Sequence, residues 1–321
     1  MKVSVVTPVY NAAEFVRRAV ESALAQEQTA QVVLVEDGST DESLAICSQL
    51  ASEYPLVELF RHRDGCNHGA GSSRNLGIQM SGAPFVAFLD ADDYFLPGRF
   101  STAQELLESD TGIDGVYEAI GVHCQDDDSR RKWSEKGDGE LTTMFQRIPP
   151  ENLFDALIEY NMGNFTLDGL VVRKSSFWKE DPFINGLRLH QDTAMIIQLA
   201  HYAKLVPGRL TEPVAVREVH AGNRSLSTYR INRTRMCLWD ILFRWSRREN
   251  LPKKRIANIF RNALYFRFLA STGRCSNYRP DPVLLPGLLG RVVCHPQLFI
   301  LALKEHRRRR GISCRTDSHQ I

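Results

Sequence analysis

The chain has 321 residues, 43% of them hydrophobic and 24% charged, enough for a sizeable core plus a smaller second unit. Its formal net charge of +2 conceals an asymmetry: residues 221–321 carry 21 Lys+Arg against 5 Asp+Glu, and residues 1–220 carry 19 against 33. The acidic front argues against direct nucleic-acid binding and suits recruitment of a divalent cation, whereas the basic rear suits an anionic surface.

Met1-Lys2 runs directly into Val3-Ser4-Val5-Val6, so the sequence predicts no signal peptide. Lys2 to Thr7 reads as a short strand, followed by Pro8-Val9-Tyr10-Asn11. Residues 12–26 place Phe15, Ala19, Val20, Ala23 and Leu24 on one apolar face, which is helical spacing. Residues 32–35 read as a second strand ending in EDGSTD, with Thr40 or Asp41 placed to cap a helix over 42–53. Residues 57–60 form a third predicted strand, HRDGCNHGAGS at 62–72 a polar loop, 73–80 a helix and 85–89 a buried strand. This alternation predicts a parallel sheet with helices on both faces, in which ligands bind beyond the carboxyl ends of the strands.

Farther along, residues 122–150 are polar and read as a long excursion or a β-hairpin, and TLDGLVV at 166–172 as a strand. Asp192 opens a predicted helix with Met195, Ile196 and Leu199 on its inner face, and 213–219 reads as a last strand ending at His220. From about residue 228 the pattern turns helical, with Leu238, Ile241, Leu242 and Trp245 on one face and Ile256, Phe260, Ala263 and Leu264 on another. The chain then becomes arginine-rich, ending in the run 307–310. No stretch of roughly 18 apolar residues occurs, and the most apolar late segment is broken by Arg291 and His295, so no ordinary spanning helix is expected. Seven cysteines without CxxC spacing argue against a zinc site or a disulfide framework and suit a reducing cytosol.

AFLDADDYFL, at 87–96, ends a buried strand with Asp90, Asp92 and Asp93. A solvated turn that caps the next helix is one reading, since aspartate is common in turns. The other starts from repulsion: three carboxylates at one strand tip need a cation among them. A hard ion, Mn²⁺ or Mg²⁺, bound by one or two carboxylates and by phosphate oxygens, meets that need. No GxxxxGK[ST] loop and no GxGxxG follow the first strand, which disfavours a P-loop ATPase and a dinucleotide-binding dehydrogenase.

The ordered series VVTPVYNAAEF, VVLVEDGSTDES, GAGSSRNLGI and FLDADDYFLPGRF resembles the inverting family 2 glycosyltransferases of GT-A fold over residues 3 to about 100. A weaker likeness, LVVRKSSFWKEDPFINGLRLHQDTAMIIQLA and then REVHAGNRSLS, extends it to about 227. The resemblance implies an α/β, Rossmann-like, mainly parallel sheet flanked by helices. It implies a catalytic domain over 1–227, with a donor-binding half at 1–100 and an acceptor-binding half at 101–227, followed by a helical basic region at 228–321. The implied reaction transfers a sugar, with inversion, from a nucleoside diphosphate donor (usually UDP-linked) to a saccharide or polyprenyl-linked acceptor.

Position by position, the resemblance assigns Pro8 and Tyr10 to the nucleobase pocket, Asn11 to the cap of the first helix and Asp37 to the uracil imide N–H. Arg74 would reach the base or diphosphate. Asp90 would contact ribose or donor sugar, Asp92 would ligate the metal and Asp93 would support the site. Gly69 and Gly71 would let the backbone pass close to the donor. Asp192 holds the place of the general base, and Gln191 stands where relatives have an acid, leaving acceptor or phosphate contact as its role. His220 corresponds to a histidine that ligates metal or touches diphosphate, and Arg224 or Ser225 would contact phosphate.

Each assignment has a plainer counterpart. Asp37 could close an Asx-turn, Arg74 could be a surface residue, Asp192 an N-cap and His220 a structural histidine. Two other functions stay open: nucleotidyl transfer to a sugar phosphate, disfavoured by the loop TPVYNAAEF, and non-catalytic nucleotide-sugar binding, disfavoured by retention of Asp192. The basic rear either packs on the catalytic unit or holds the chain, as a cytoplasmic protein, against the anionic inner face of the membrane.

Overall fold

The computed structural model describes residues 1–135, 139–159, 162–220, 222, 228–272, 295–297 and 300. The chain divides into two units, Met1–Leu226 and Ser227–Ile321. The first begins β1 (Val3–Val9), α1 (Val16–Leu24), β2 (Thr29–Glu36), α2 (Ser43–Glu53), β3 (Val57–Arg61), α3 (Ala70–Met80) and β4 (Phe85–Phe88). It continues with β5 (Tyr94–Phe95), α4 (Ser101–Ser109), β6 (Gly115–Tyr117), β7 (Ile120–Cys124), α5 (Asp127–Glu135), β8 (Leu141–Thr142) and α6 (Pro150–Glu159). Its last elements are β9 (Leu170–Arg173), α7 (Gln191–Tyr202), β10 (Leu205–Pro207) and β11 (Ala215–Val219).

Seven strands form the main sheet in the order β10-β6-β9-β4-β1-β2-β3. β1 is parallel to both of its neighbours, β2 and β4, and β2 is parallel to β3. That burial on both faces explains why β1, β2 and β4 read as apolar runs without alternation. Val3, Val5 and Val9 of β1 join one core with Val16, Ala19, Val20 and Ala23 of α1. Val6 points to the other face, where α3 packs so closely that a Cβ on Gly77 would lie 2.3 Å from Val6 Cγ1. The parallel register places the ends of β1, β2 and β4 along one edge, with Val9 opposite Glu36 and Val6 opposite Phe88.

β9 runs antiparallel to both β4 and β6. The chain enters it after the second sheet and α6 rather than through a single crossover helix, so the rule that fixes parallel βαβ units does not bind there. The expected strand over 166–172 is shorter than its sequence suggests: residues 167–169 form a 3₁₀ turn and only Leu170–Arg173 is extended. The polar stretch 122–150 is neither plain loop nor plain hairpin. β7 and β8 pair antiparallel with α5 between them, and belong to a four-stranded sheet of order β5-β11-β7-β8.

In the second unit, α8 (Thr228–Arg248) and α9 (Lys253–Thr272) pack as a helical hairpin. Phe243 meets Phe260 at 5.0 Å between ring centroids, and Arg267 pairs with Asp240 at 2.5 Å. No helix among the described residues is long and apolar enough to cross a membrane.

The seat of α3 on β1 gives a direct test of the packing. Gly77→Ala should destabilise the protein by about 1–3 kcal/mol, read as a lower urea midpoint, because the methyl group overpacks against Val6. Gly77→Ala in a Val6→Ala background should recover part of that loss, and an unchanged midpoint in the single variant would contradict the packing.

Candidate active site

The carboxyl edge of β1, β2 and β4 gathers most of the residues singled out in the sequence. Tyr10, just past β1, is 40% exposed, and Pro8 is half-buried. Asn11, at φ 49°, does not cap α1, which starts five residues later at Val16. Its Oδ1 accepts the Thr40 N–H instead, at 2.8 Å, tying the end of β1 to the turn after β2. Asp41 accepts the N–H groups of Ser43 and Ala13 and so opens α2 while fixing the approach to α1.

Asp37 is 2% exposed, and its two oxygens accept the backbone N–H groups of His68 and Gly69, each at 2.8 Å. Rather than closing an Asx-turn at α2, it draws the polar loop 62–69 over the end of β2. His62 lies in the same place, 3.5 Å from Asp37, with its ring tilted 32° against that of His68 at 4.3 Å between centroids. Burial, then the neighbouring His68, lower the pKa of His62.

Arg74 is buried on the first turns of α3 and forms an ion pair with Asp90 through Nη2. Its Nε and Nη1 have no hydrogen-bond partner among the described residues, although both are shielded from solvent. Buried donors are normally satisfied, and an anionic, acceptor-rich group is what would satisfy these two. Burial opposes the Arg74 charge, yet the carboxylates of Asp90, Asp192 and Asp168 raise its pKa above the ordinary guanidinium value.

The strand-tip aspartates part company. Asp92 turns toward His220, with Oδ2 to Nε2 at 3.3 Å, and this bond above all raises the imidazole pKa. Asp93 is 2% exposed, accepts the Glu218 N–H at 2.9 Å and supports the turn from beneath. Asp90, Asp93 and Asp168 each bring a carboxylate oxygen within 4.8 Å of the other two. Burial first, then Asp168 and Asp92, push Asp93 well up from the usual carboxylate range. Burial and Asp90 push Asp168 up to about 6, against the opposing pull of Arg217 and Arg74.

Asp192 lies in the first turn of α7, half-buried, with Oδ1 accepting the Thr193 N–H at 2.7 Å. The chain enters this helix through His190 in the left-handed region at φ 61°. Gln191 is buried against α3: a Cβ on Gly71 would stand 2.6 Å from its Oε1. Gly71 therefore makes room for Gln191, and Gly69 contributes its N–H to Asp37. Arg224 and Ser225 lie outside the described residues.

Asp168, Arg217, Glu218 and Arg18 belong to the site although the sequence does not single them out. Burial opposes charge on Arg217 of β11, but Asp93, Asp168, Asp90 and Asp192 outweigh it and raise its pKa. Glu218, almost wholly buried, accepts from Arg18 at 2.8 Å and lies 2.6 Å from His123, and Arg18 also donates to the Asp92 carbonyl. Only Asp168 leaves a trace in the sequence, as an acidic residue at the entrance to a buried strand. All the oxygens here are hard ligands, and a divalent ion of the Mg²⁺ or Mn²⁺ type fits them better than a soft metal.

Residues 4–180 match the sequence profile of Glycosyl transferase family 2. The chain is 34% identical over 154 residues to the uncharacterized glycosyltransferase YibD of Escherichia coli strain K12, covering 47% of this chain and 39% of that protein. It is 37% identical over 118 residues to the succinoglycan biosynthesis protein ExoU of Rhizobium meliloti, covering 37% of this chain and 33% of that protein. The matched part thus spans between a third and two fifths of the length of these relatives. Among solved structures, S. aureus TarS in complex with UDP-GlcNAc superposes with a TM-score of 0.63 at 17% identity, over 86% of this chain and 77% of that one, a likeness of fold. The family match takes in more than half of the chain, from β1 through the strand-tip aspartates to β9, and the mainly parallel sheet has the GT-A arrangement: this chain belongs to glycosyl transferase family 2.

Proposed function

We propose that this chain is an inverting glycosyltransferase that moves a sugar from a nucleoside diphosphate donor, a UDP-sugar, to a hydroxyl of a saccharide or polyprenyl-linked acceptor. The observation that carries the reading is the meeting of a buried, partly unsatisfied Arg74 with Asp90 and Asp192 at one sheet edge. UDP-GlcNAc in TarS supports the donor class, and the place of ExoU in succinoglycan biosynthesis supports a polysaccharide acceptor. The donor half is residues 1–100 and the acceptor half 101–227.

Tyr10 stacks on the base beside Pro8, and Asp37 takes the uracil imide N–H with an acceptor site left over from its two backbone bonds. Arg74 offers Nε and Nη1 to the diphosphate, and Asp90 takes ribose or sugar hydroxyls. Asp192 accepts the proton of the acceptor hydroxyl as that oxygen attacks the anomeric carbon. The anomeric C–O bond to the diphosphate breaks on the opposite face, and the diphosphate leaves with the electron pair. Asp92 and His220, with Asp90 and Asp93 beside them, would hold Mn²⁺ or Mg²⁺, which when bound neutralises charge on the leaving group. Gln191 and Arg224 remain candidates for acceptor or phosphate contact.

The second unit carries the basic residues of the rear and leaves Tyr265 and Phe268 of α9 exposed, one turn apart. This pairing of cations with exposed aromatic rings supports peripheral binding to an anionic membrane, where a polyprenyl-linked acceptor resides.

Asp192→Asn should reduce acceptor-dependent UDP release by about 10²–10⁴-fold while leaving the UDP dissociation constant within about threefold, because it removes only the base. Persistent turnover would sink the assignment of Asp192. In co-sedimentation, the full chain should bind vesicles containing phosphatidylglycerol and release them as salt is raised. Equal binding to neutral vesicles, or none to either, would refute the membrane role.

A further inference from the structure

Among the described residues, the turn at 90–93 is fastened at more points than a loop of its length requires. The Asp93 N–H donates to the Asp90 carbonyl at 3.0 Å and closes the turn on itself. The Asp93 carboxylate receives the Glu218 N–H, and the Asp92 carbonyl receives Arg18. The first residue is fastened differently. The Asp90 N–H donates at 3.0 Å to Oδ1 of Asp168, which is 1% exposed and comes from the 3₁₀ turn that leads into β9.

Asp168 is itself held from behind. Arg99 Nε donates to its carbonyl at 3.0 Å, and Arg99, fully buried, pairs with the fully buried Glu118 at 3.0 Å. Glu118 also accepts the Arg209 N–H, and its own N–H donates to the carbonyl of Gly169. A buried ion pair of this kind costs desolvation and adds little net stability, but it fixes the position of what it touches. Here it touches the backbone of Asp168. The chain of contacts runs from Glu118 through Arg99 and Asp168 to the Asp90 N–H, and Asp90 in turn holds Arg74.

We propose that Asp168 is a positioning residue for donor binding: by accepting the Asp90 N–H it sets the turn at 90–93, and through Asp90 the guanidinium of Arg74, in the arrangement that receives the nucleoside diphosphate. The inference rests on the strand tip being the donor site. Asp168 acts through the acceptor oxygen it offers. An asparagine keeps that oxygen in the same place, and its amide can donate to Asp90 or Asp93, whose oxygens lie within 4.8 Å of the carboxylate. An alanine leaves the Asp90 N–H without its partner and the turn free to shift.

The test measures UDP binding to the full chain by calorimetry with Mn²⁺ present, at a temperature where circular dichroism shows each variant folded. Asp168→Asn should bind UDP within about threefold of the wild type, and Asp168→Ala at least tenfold more weakly. A merely structural role would lower the unfolding midpoint of Asp168→Ala without moving the affinity of the folded protein. If Asp168→Ala does not fold, Asp168→Glu displaces the oxygen by one methylene, and weakened UDP binding is again expected. Wild-type affinity in whichever of the Ala and Glu variants folds overturns the proposal. Equal weakening in Asp168→Asn and Asp168→Ala also overturns it, since charge and not the hydrogen bond would then matter. A wild type that binds no UDP would instead refute the donor-site reading itself, so the two failures are separate.

Discussion

Like charge at a strand tip is the constraint around which this site is built. Carboxylate oxygens of Asp90, Asp93 and Asp168 lie within 4.8 Å of one another. At an effective dielectric of about 20, each ionised pair at that separation repels by on the order of 3 kcal/mol. A fold stable by only about 5–15 kcal/mol in total must answer such repulsion locally. Two answers are visible in the chain. Arg74, buried, and Arg217, half-buried, bring positive charge to the cluster, and burial with mutual repulsion raises the pKa of Asp93 and Asp168. A third is proposed, the divalent ion that arrives with the diphosphate.

Three distant parts of the sequence are needed to hold the arrangement. β4 supplies the turn, the 3₁₀ turn before β9 supplies Asp168, and β11 supplies Arg217 and the Glu218 N–H. The antiparallel insertion of β9 beside β4 brings the second of these to the tip of the first. Arg99 and Glu118, outside the turn itself, fix the backbone of Asp168 beneath it, and under the proposed function that is how they bear on donor binding. The polar loop at 62–69 is anchored in the same manner. Asp37 at the end of β2 uses backbone bonds to hold residues 68 and 69, and Gln191 at the head of α7 fills the space above Gly71.

Much of this is legible in the amino-acid sequence, because it is written in local signals. Val-rich runs of β1, β2 and β4 announce strands buried on both faces, and the alternation with α1, α2 and α3 announces parallel pairing. The strand-tip aspartates stand out because polar residues directly follow an apolar run, whereas Asp37 and Arg74 are marked by the family resemblance. What stays hidden depends on tertiary contact. Asp168 sits in a stretch whose apolar pattern reads as one continuous strand. Arg217 and Glu218 alternate with apolar residues as any half-buried strand would. Proximity in sequence points Asn11 to α1, but its partner, Thr40, is 29 residues away. The role of Gly71 depends on a glutamine 120 positions later, and no local rule connects them.

The most direct measurement of the central claim is anomalous diffraction at the manganese edge from a crystal soaked with UDP and Mn²⁺. The account predicts one strong peak at the tip of β4, bonded to a carboxylate of the 90–93 turn and to diphosphate oxygens that also meet Arg74. A nucleotide bound elsewhere with the strand tip empty, or a diphosphate held by Arg74 with no metal peak, would contradict it.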